Sequence, residues 1–169
     1  MPEPLQPEAM LRVLAEHDVR YVLIGGLAGV LYGSSALTND ADICPERSHE
    51  NLVRLAAALR QMDARVRAHT EPDGLAFACD AELLARMAMV NCTTRYGDFD
   101  ISFVPAGTNG YDDLVEHAVH FDIDGVAVKV ASLADIIRSK ETANRPKDHR
   151  TLPILYALQD EIEGRRGGR

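Results

Sequence analysis

Residues 38–43 read TNDADI and residues 97–103 read GDFDISF. Side chains alternate along a strand, so Asp40 and Asp42 share one face while Ala41 and Ile43 take the other. Asp98 and Asp100 likewise share a face, opposite Phe99, Ile101 and Phe103. Should the two strands be neighbours, three or four carboxylates converge, a costly arrangement at neutral pH without a counter-charge. Oxygen-only donors in such a group suit Mg²⁺, which keeps waters and takes phosphate oxygens as further ligands. Upstream, YVLIGGLAGVLYG (21–33) runs from a short strand through Gly25–Gly26 into a helix. Backbone N–H groups at a helix N-terminus favour phosphate. In chain order the sequence offers a phosphate cradle, then metal carboxylates.

The elements that must position these groups follow from periodicity. Helices are predicted over 7–19, from Gly26 to Gly33, over 48–62 with Ser48 as N-cap and Asn51 at a partial capping-box position, and over DAELLARM (80–87). Strands are predicted at RYVLIGG and NDADICP, the latter stopped by Pro45. A loop is expected around Pro72–Gly74. The run 88–105 alternates on both sides of Tyr96–Gly97, and 117–130 alternates around Asp124–Gly125, so each predicts a hairpin. Two helices close the chain, with Ser132 as N-cap of the first and Pro146 at N1 of the second. Pro153 inside that last pattern predicts a kink or a split. The expected architecture is α/β (α+β): one small mixed β-sheet flanked by helices, in a single domain over 1–160 with a disordered tail over 161–169.

Composition narrows the class. The 169 residues are 46% hydrophobic and 26% charged, as in ordinary globular proteins, and no apolar run approaches a bilayer span of roughly 20 residues. The N-terminus carries no basic region or apolar core of an export signal, and three widely spaced cysteines form no metal knuckle, so a reducing cytoplasmic setting is expected. A net charge of −8 argues against a general nucleic-acid coat but leaves room for the local basic patch RSKETANRPKDHR (138–150).

The ordered set Gly25–Gly26, Asp40, Asp42 and Asp100 resembles the nucleotidyltransferase (DNA polymerase β-like) superfamily. Its small members place Gly-Gly or Gly-Ser at a strand-to-helix turn, then Asp-x-Asp, then a third Asp on a later strand. The stretch ALTNDADI is similar to the form G-x-x-R-x-T-x-D-hydrophobic-D of the AbiEii-type toxin branch of bacterial toxin–antitoxin systems. SLADIIRSKETANRPKDHRTLPIL (132–155) is similar to that branch's helix ending in Lys, followed by RPKD and another helix. The resemblance covers residues 19–156. It implies two Mg²⁺ ions held by Asp40, Asp42 and Asp100, and transfer of a nucleoside monophosphate from an NTP to an acceptor hydroxyl. Asp100 would orient or deprotonate that hydroxyl. Gly25, Gly26, Thr38, Lys140, Arg145 and Lys147 would bind the nucleotide, with Asp148 orienting the cations. The acceptor would be the 3′ end of tRNA, with an antitoxin as partner. The family's Arg two residues before the Thr is Ala36 here, which removes a phosphate or structural contact.

Other readings are open at this point. A small-molecule acceptor of the aminoglycoside or lincosamide kind suits an acidic protein. A degenerate fold that binds nucleotide or a partner without turnover is a different class. His117 and His120 form H-x-x-H, but no further His or Cys lies at zinc-ligand spacing, so a structural role is expected. The run IGGLAG lacks the first glycine of the dinucleotide fingerprint, since position 24 is Ile. The cysteines lack the context of a catalytic thiol. Asp98 serves equally well as a further carboxylate of the cluster or as a turn residue beside Gly97.

Overall fold

The computed structural model describes residues 3–168; residues 1, 2 and 169 lie outside the described part. In chain order it forms α1 (Pro7–Glu16), β1 (Tyr21–Ile24), α2 (Gly25–Leu31), β2 (Asp40–Pro45) and α3 (His49–Gln61). Then come β3 (Arg65–Ala68), β4 (Glu71–Leu75), α4 (Ala81–Arg86), β5 (Met89–Thr94) and β6 (Gly97–Ser102). The chain closes with α5 (Tyr111–Glu116), β7 (Val119–Ile123), β8 (Val126–Val130), α6 (Leu133–Ala143) and α7 (Pro146–Gly167). All eight strands join one mixed sheet in the order β4-β3-β5-β6-β2-β1-β8-β7. The β2/β6 and β1/β8 pairs are parallel and the rest antiparallel. This is the expected mixed sheet flanked by helices.

The alternation read from the sequence sorts the sheet's faces. Ala41, Ile43, Phe99 and Ile101 are at most 1% exposed and share the core with Leu11 and Leu14 of α1 and Leu52, Leu55 and Leu59 of α3. Asp40, Asp42, Asp98 and Asp100 take the opposite face and are half-buried. The hairpin β7–β8 turns at Asp124–Gly125, where both residues have positive φ, the geometry of a tight hairpin turn whose twist matches the strands.

Four features differ from expectation. The presumed loop around Pro72–Gly74 is the edge strand β4, paired only with β3, and an edge position tolerates a proline that cannot donate to a ladder. Helix α5 has no span assigned from the sequence, where the His117–His120 segment reads only as a helix end passing into a strand; it is six residues long, too short for periodicity to mark its start. Helix α7 passes through Pro153 without splitting and runs on to Gly167, so most of the segment expected as a tail forms its last, largely exposed turns. An Arg165–Glu161 pair and the partial packing of Ile162 on the core support those turns.

The fourth concerns Asn51. Ser48 caps α3 as expected, accepting from the Asn51 backbone N–H. The Asn51 side chain does not complete a capping box. It accepts from Arg20 N–H at 2.7 Å and donates to the carbonyls of Arg20 (2.9 Å) and Glu46 (2.7 Å). Buried to 1% exposure, it clamps the start of β1 to the end of β2, the two strands that lead to the glycine turn and carry the first aspartates. Among the described residues no helix is long and apolar enough to cross a membrane. Asn51→Ala removes three hydrogen bonds, though the Arg20 carbonyl keeps the one from Glu46 N–H, and chemical denaturation should show a loss of about 3 kcal/mol, against about 1 kcal/mol for Ser48→Ala.

Candidate active site

Parallel pairing places Asp40 beside Asp98 and Asp42 beside Asp100, so the two sequence pairs form a square of four carboxylates. Three of them, Asp40, Asp42 and Asp100, each bring an oxygen within 4.8 Å of the others. Asp98 stands aside. One of its oxygens meets Arg67 Nη1 at 3.3 Å, and the other is buried without a hydrogen-bond partner among the described residues. Arg67 also reaches Asp100, with Nη2 at 3.0 Å from Oδ1 and 3.2 Å from Oδ2.

The electrostatics of the triad favour a cation among the three carboxyls. Burial, then repulsion from Asp40 and Asp100, pushes the Asp42 carboxyl up to about 8, with Lys147 pulling in the other direction. Burial raises Asp100 to about 6 even though Arg67 acts to lower it. Asp100 Oδ1 is buried, and among the described residues its polar contact is the ion pair with Arg67 Nη2. Three closely spaced carboxyls match the hard, all-oxygen donor set that Mg²⁺ or Mn²⁺ takes.

The glycine turn is fitted to this cluster. Gly25 has φ +73°, and a methyl group built there would collide with Asp42 Oδ2 and lie 2.9 Å from its Cγ. Only glycine allows both the left-handed turn and the close approach. Gly26 abuts Thr38, where an added Cβ would lie 3.0 Å from Oγ1. The Thr38 hydroxyl donates to the Asp40 carbonyl at 3.0 Å, which fixes the run into β2.

The basic patch arrives from the α6–α7 corner. Asn144 ends α6 in the left-handed conformation, Arg145 is extended because a proline follows it, and Pro146 opens α7. This places Lys140 in the last turn of one helix and Arg145 and Lys147 at the start of the next. Asp148, wholly buried, accepts from Arg145 N–H (3.0 Å), Nε (2.8 Å) and Nη2 (3.2 Å), and its Oδ1 lies 3.6 Å from Lys140 Nζ. The Arg145 contacts and the nearby Lys140 charge hold the Asp148 carboxyl below its ordinary range despite burial. A cleft of about 240 Å³ brings the groups together: Gly25, Gly26, Thr38, Asp40, Asp42, Lys140, Arg145 and Lys147 all line it. Ala36 and the fully exposed Leu37 form its rim.

Arg67 is the residue that sequence reading missed. The alternation in RVRA (65–68) marks a strand in retrospect, but so short a run beside a proline-bearing partner gives little signal. His117 lies 3.7 Å from Asp135, and the H-x-x-H residues belong to no cluster that could hold a metal among the described residues. The thiols of Cys44 and Cys92 are pushed up to about 12 by burial, a setting for inert cysteines.

No protein-family model matches the chain, and no curated protein matches it by sequence. Solved structures match it in fold. The lincosamide antibiotic adenylyltransferase LnuA, in its lincomycin-bound form, superposes with a TM-score of 0.61 at 12% identity, over 92% of this chain and 99% of that one. The antibiotic-resistance factor ANT(2″)-Ia gives 0.52 at 15% identity, over 94% and 90%. A Thermotoga maritima protein assigned as a nucleotidyltransferase gives 0.53 at 15% identity, over 89% and 94%. At such identities the likeness establishes the fold: this chain has the nucleotidyltransferase fold.

Raised carboxyls make the metal-free protein pH-sensitive. Between the ordinary carboxylate range and about pH 8 the folded state binds more protons than the unfolded one, so stability falls as pH rises through that window. In EDTA the melting temperature should be lower at pH 8.5 than at pH 6. Asp42→Asn should flatten that slope and raise the pH 8.5 value. Gly25→Ala, which displaces Asp42, should lower stability at both pH values.

Proposed function

We propose that the protein is a divalent-metal-dependent nucleotidyltransferase that moves a nucleoside monophosphate from an NTP to an acceptor hydroxyl. The observation behind this reading is the meeting of Asp40, Asp42 and Asp100 beside the cleft lined by Gly25, Gly26 and three basic residues. Asp40, Asp42 and Asp100 would hold the metal, with Mg²⁺ as the proposed ion. When bound, it supplies charge neutralisation at the triphosphate and acidification of the acceptor hydroxyl. Lys140 and Arg145, oriented by Asp148, and Lys147 neutralise phosphate charge. Gly25 and Gly26 let the nucleotide approach the backbone closely, and Thr38 keeps the loop in place. Asp100 orients the acceptor hydroxyl and takes its proton. A bond forms between the acceptor oxygen and the α-phosphorus, the bond to the β-phosphate bridge breaks, and pyrophosphate leaves.

The acceptor side follows from how the sheet is covered. Met89, Asn91 and Thr93 lie opposite Ser102, Asp100 and Asp98 on β6 and so share their face, and Met89 is 56% exposed there. The nucleotide takes the cleft on the helix side of the carboxylates, and the acceptor approaches over β5 and β6. The resemblance to the toxin branch makes that acceptor the 3′ end of tRNA, in a toxin–antitoxin setting with an antitoxin as partner. A small antibiotic-like acceptor is the second reading. Behind it stand the lincomycin-bound neighbour and a net charge of −8, which disfavours a polyanion.

The test is transfer of α-³²P label from each NTP, with Mg²⁺, into tRNA and into a panel of lincosamides and aminoglycosides. One acceptor class should take label, and Asp42→Ala should reduce the rate roughly a hundredfold or more. No label in either class, from protein shown to be folded, would rule the reading out.

A further inference from the structure

Arg67 belongs to β3, yet its partners lie on β6, with β5 between them. The guanidinium spans β5, donating to the Cys92 carbonyl on the way (3.2 Å), and ends between Asp98 and Asp100. Asp100 is therefore claimed twice, by Arg67 from the β3 side and by the Asp40–Asp42 pair from the other. A guanidinium and a divalent cation at one carboxylate repel each other, and each weakens the other's hold. The Arg67 side chain is 36% exposed and long enough to shift without unpacking the sheet.

From this geometry we infer that Arg67 is a built-in competitor for the metal: a positioning residue that neutralises the carboxylate square when no cation is bound and sets how tightly one binds. Asp98 is the other half of the device. It gives Arg67 a second anchor outside the triad, so the guanidinium keeps a partner when Asp100 is taken. The inference rests on the metal site proposed above, and its test separates the two.

Mn²⁺ binding would be followed by calorimetry and electron paramagnetic resonance for the wild type, Arg67→Gln, Arg67→Ala, Arg67→Lys and the charge-matched control Arg95→Ala. Arg95 pairs with Asp63 at the surface. Removing the Arg67 charge should tighten Mn²⁺ binding on the order of tenfold. It should also lower the melting temperature in EDTA and enlarge the upward shift that saturating Mn²⁺ produces. Arg67→Lys and Arg95→Ala should stay near wild type. A purely structural Arg67 would give weaker binding on removal, and that result, or unchanged affinity in folded Arg67→Gln and Arg67→Ala, would overturn the inference. Failure of the wild type to take up Mn²⁺ at all would overturn the metal site itself, and this inference with it.

Discussion

The in-register parallel pairing of β2 with β6 is the constraint around which the rest of the molecule is arranged. It sets Asp40 beside Asp98 and Asp42 beside Asp100, so four like charges occupy one patch of a sheet whose other face is sealed in the core. Shifting either strand by one residue would turn the aspartates inward and bring Phe99 or Ile43 to the surface. The hydrophobic cost of that slip is what compels the carboxylates to stay together. Packing on one face of the sheet thus enforces repulsion on the other.

Compensation for that repulsion comes from two sides and in two forms. On the β3 side Arg67 sits directly between two of the carboxylates. On the helix side Lys140 and Arg145 are held by a buried Asp148 and so face the cleft without collapsing onto the triad. A buried carboxylate without partners would be a liability, but Asp148 accepts three hydrogen bonds from Arg145, one of them from the N-cap backbone N–H as the N3 member of the α7 capping box. Chain geometry and charge placement are one problem here, solved by the sequence Asn-Arg-Pro-Lys-Asp at the corner.

Legibility in the sequence followed the strength of each local signal. The strands carrying the aspartates were readable because strict alternation put apolar residues on one face and carboxylates on the other. The glycine turn was readable as a strand running into a helix, although the reason for Gly25, its contact with Asp42, is a tertiary one. The β3–β4 hairpin was not readable: four residues are too few for a period, and proline and glycine in β4 read as loop until the edge position is known. Arg67 was missed with its strand. Asn51 was seen as a weak cap because its clamp on Arg20 and Glu46 depends on how β1 and β2 are placed.

The distribution of cations also argues for a preorganised site rather than one that forms around its ligand. Lys140 and Arg145 each have a carboxylate partner that restricts them before anything binds, which lowers the entropy lost on binding. Lys147 differs. Among the described residues it has no acidic partner within 4 Å, and its charge is felt instead as a pull on Asp42. In the proposed reaction, Lys140 and Arg145 fixed by the fold and Lys147 left to follow the ligand would hold a polyphosphate in place while still adapting to charge redistribution as a bond breaks.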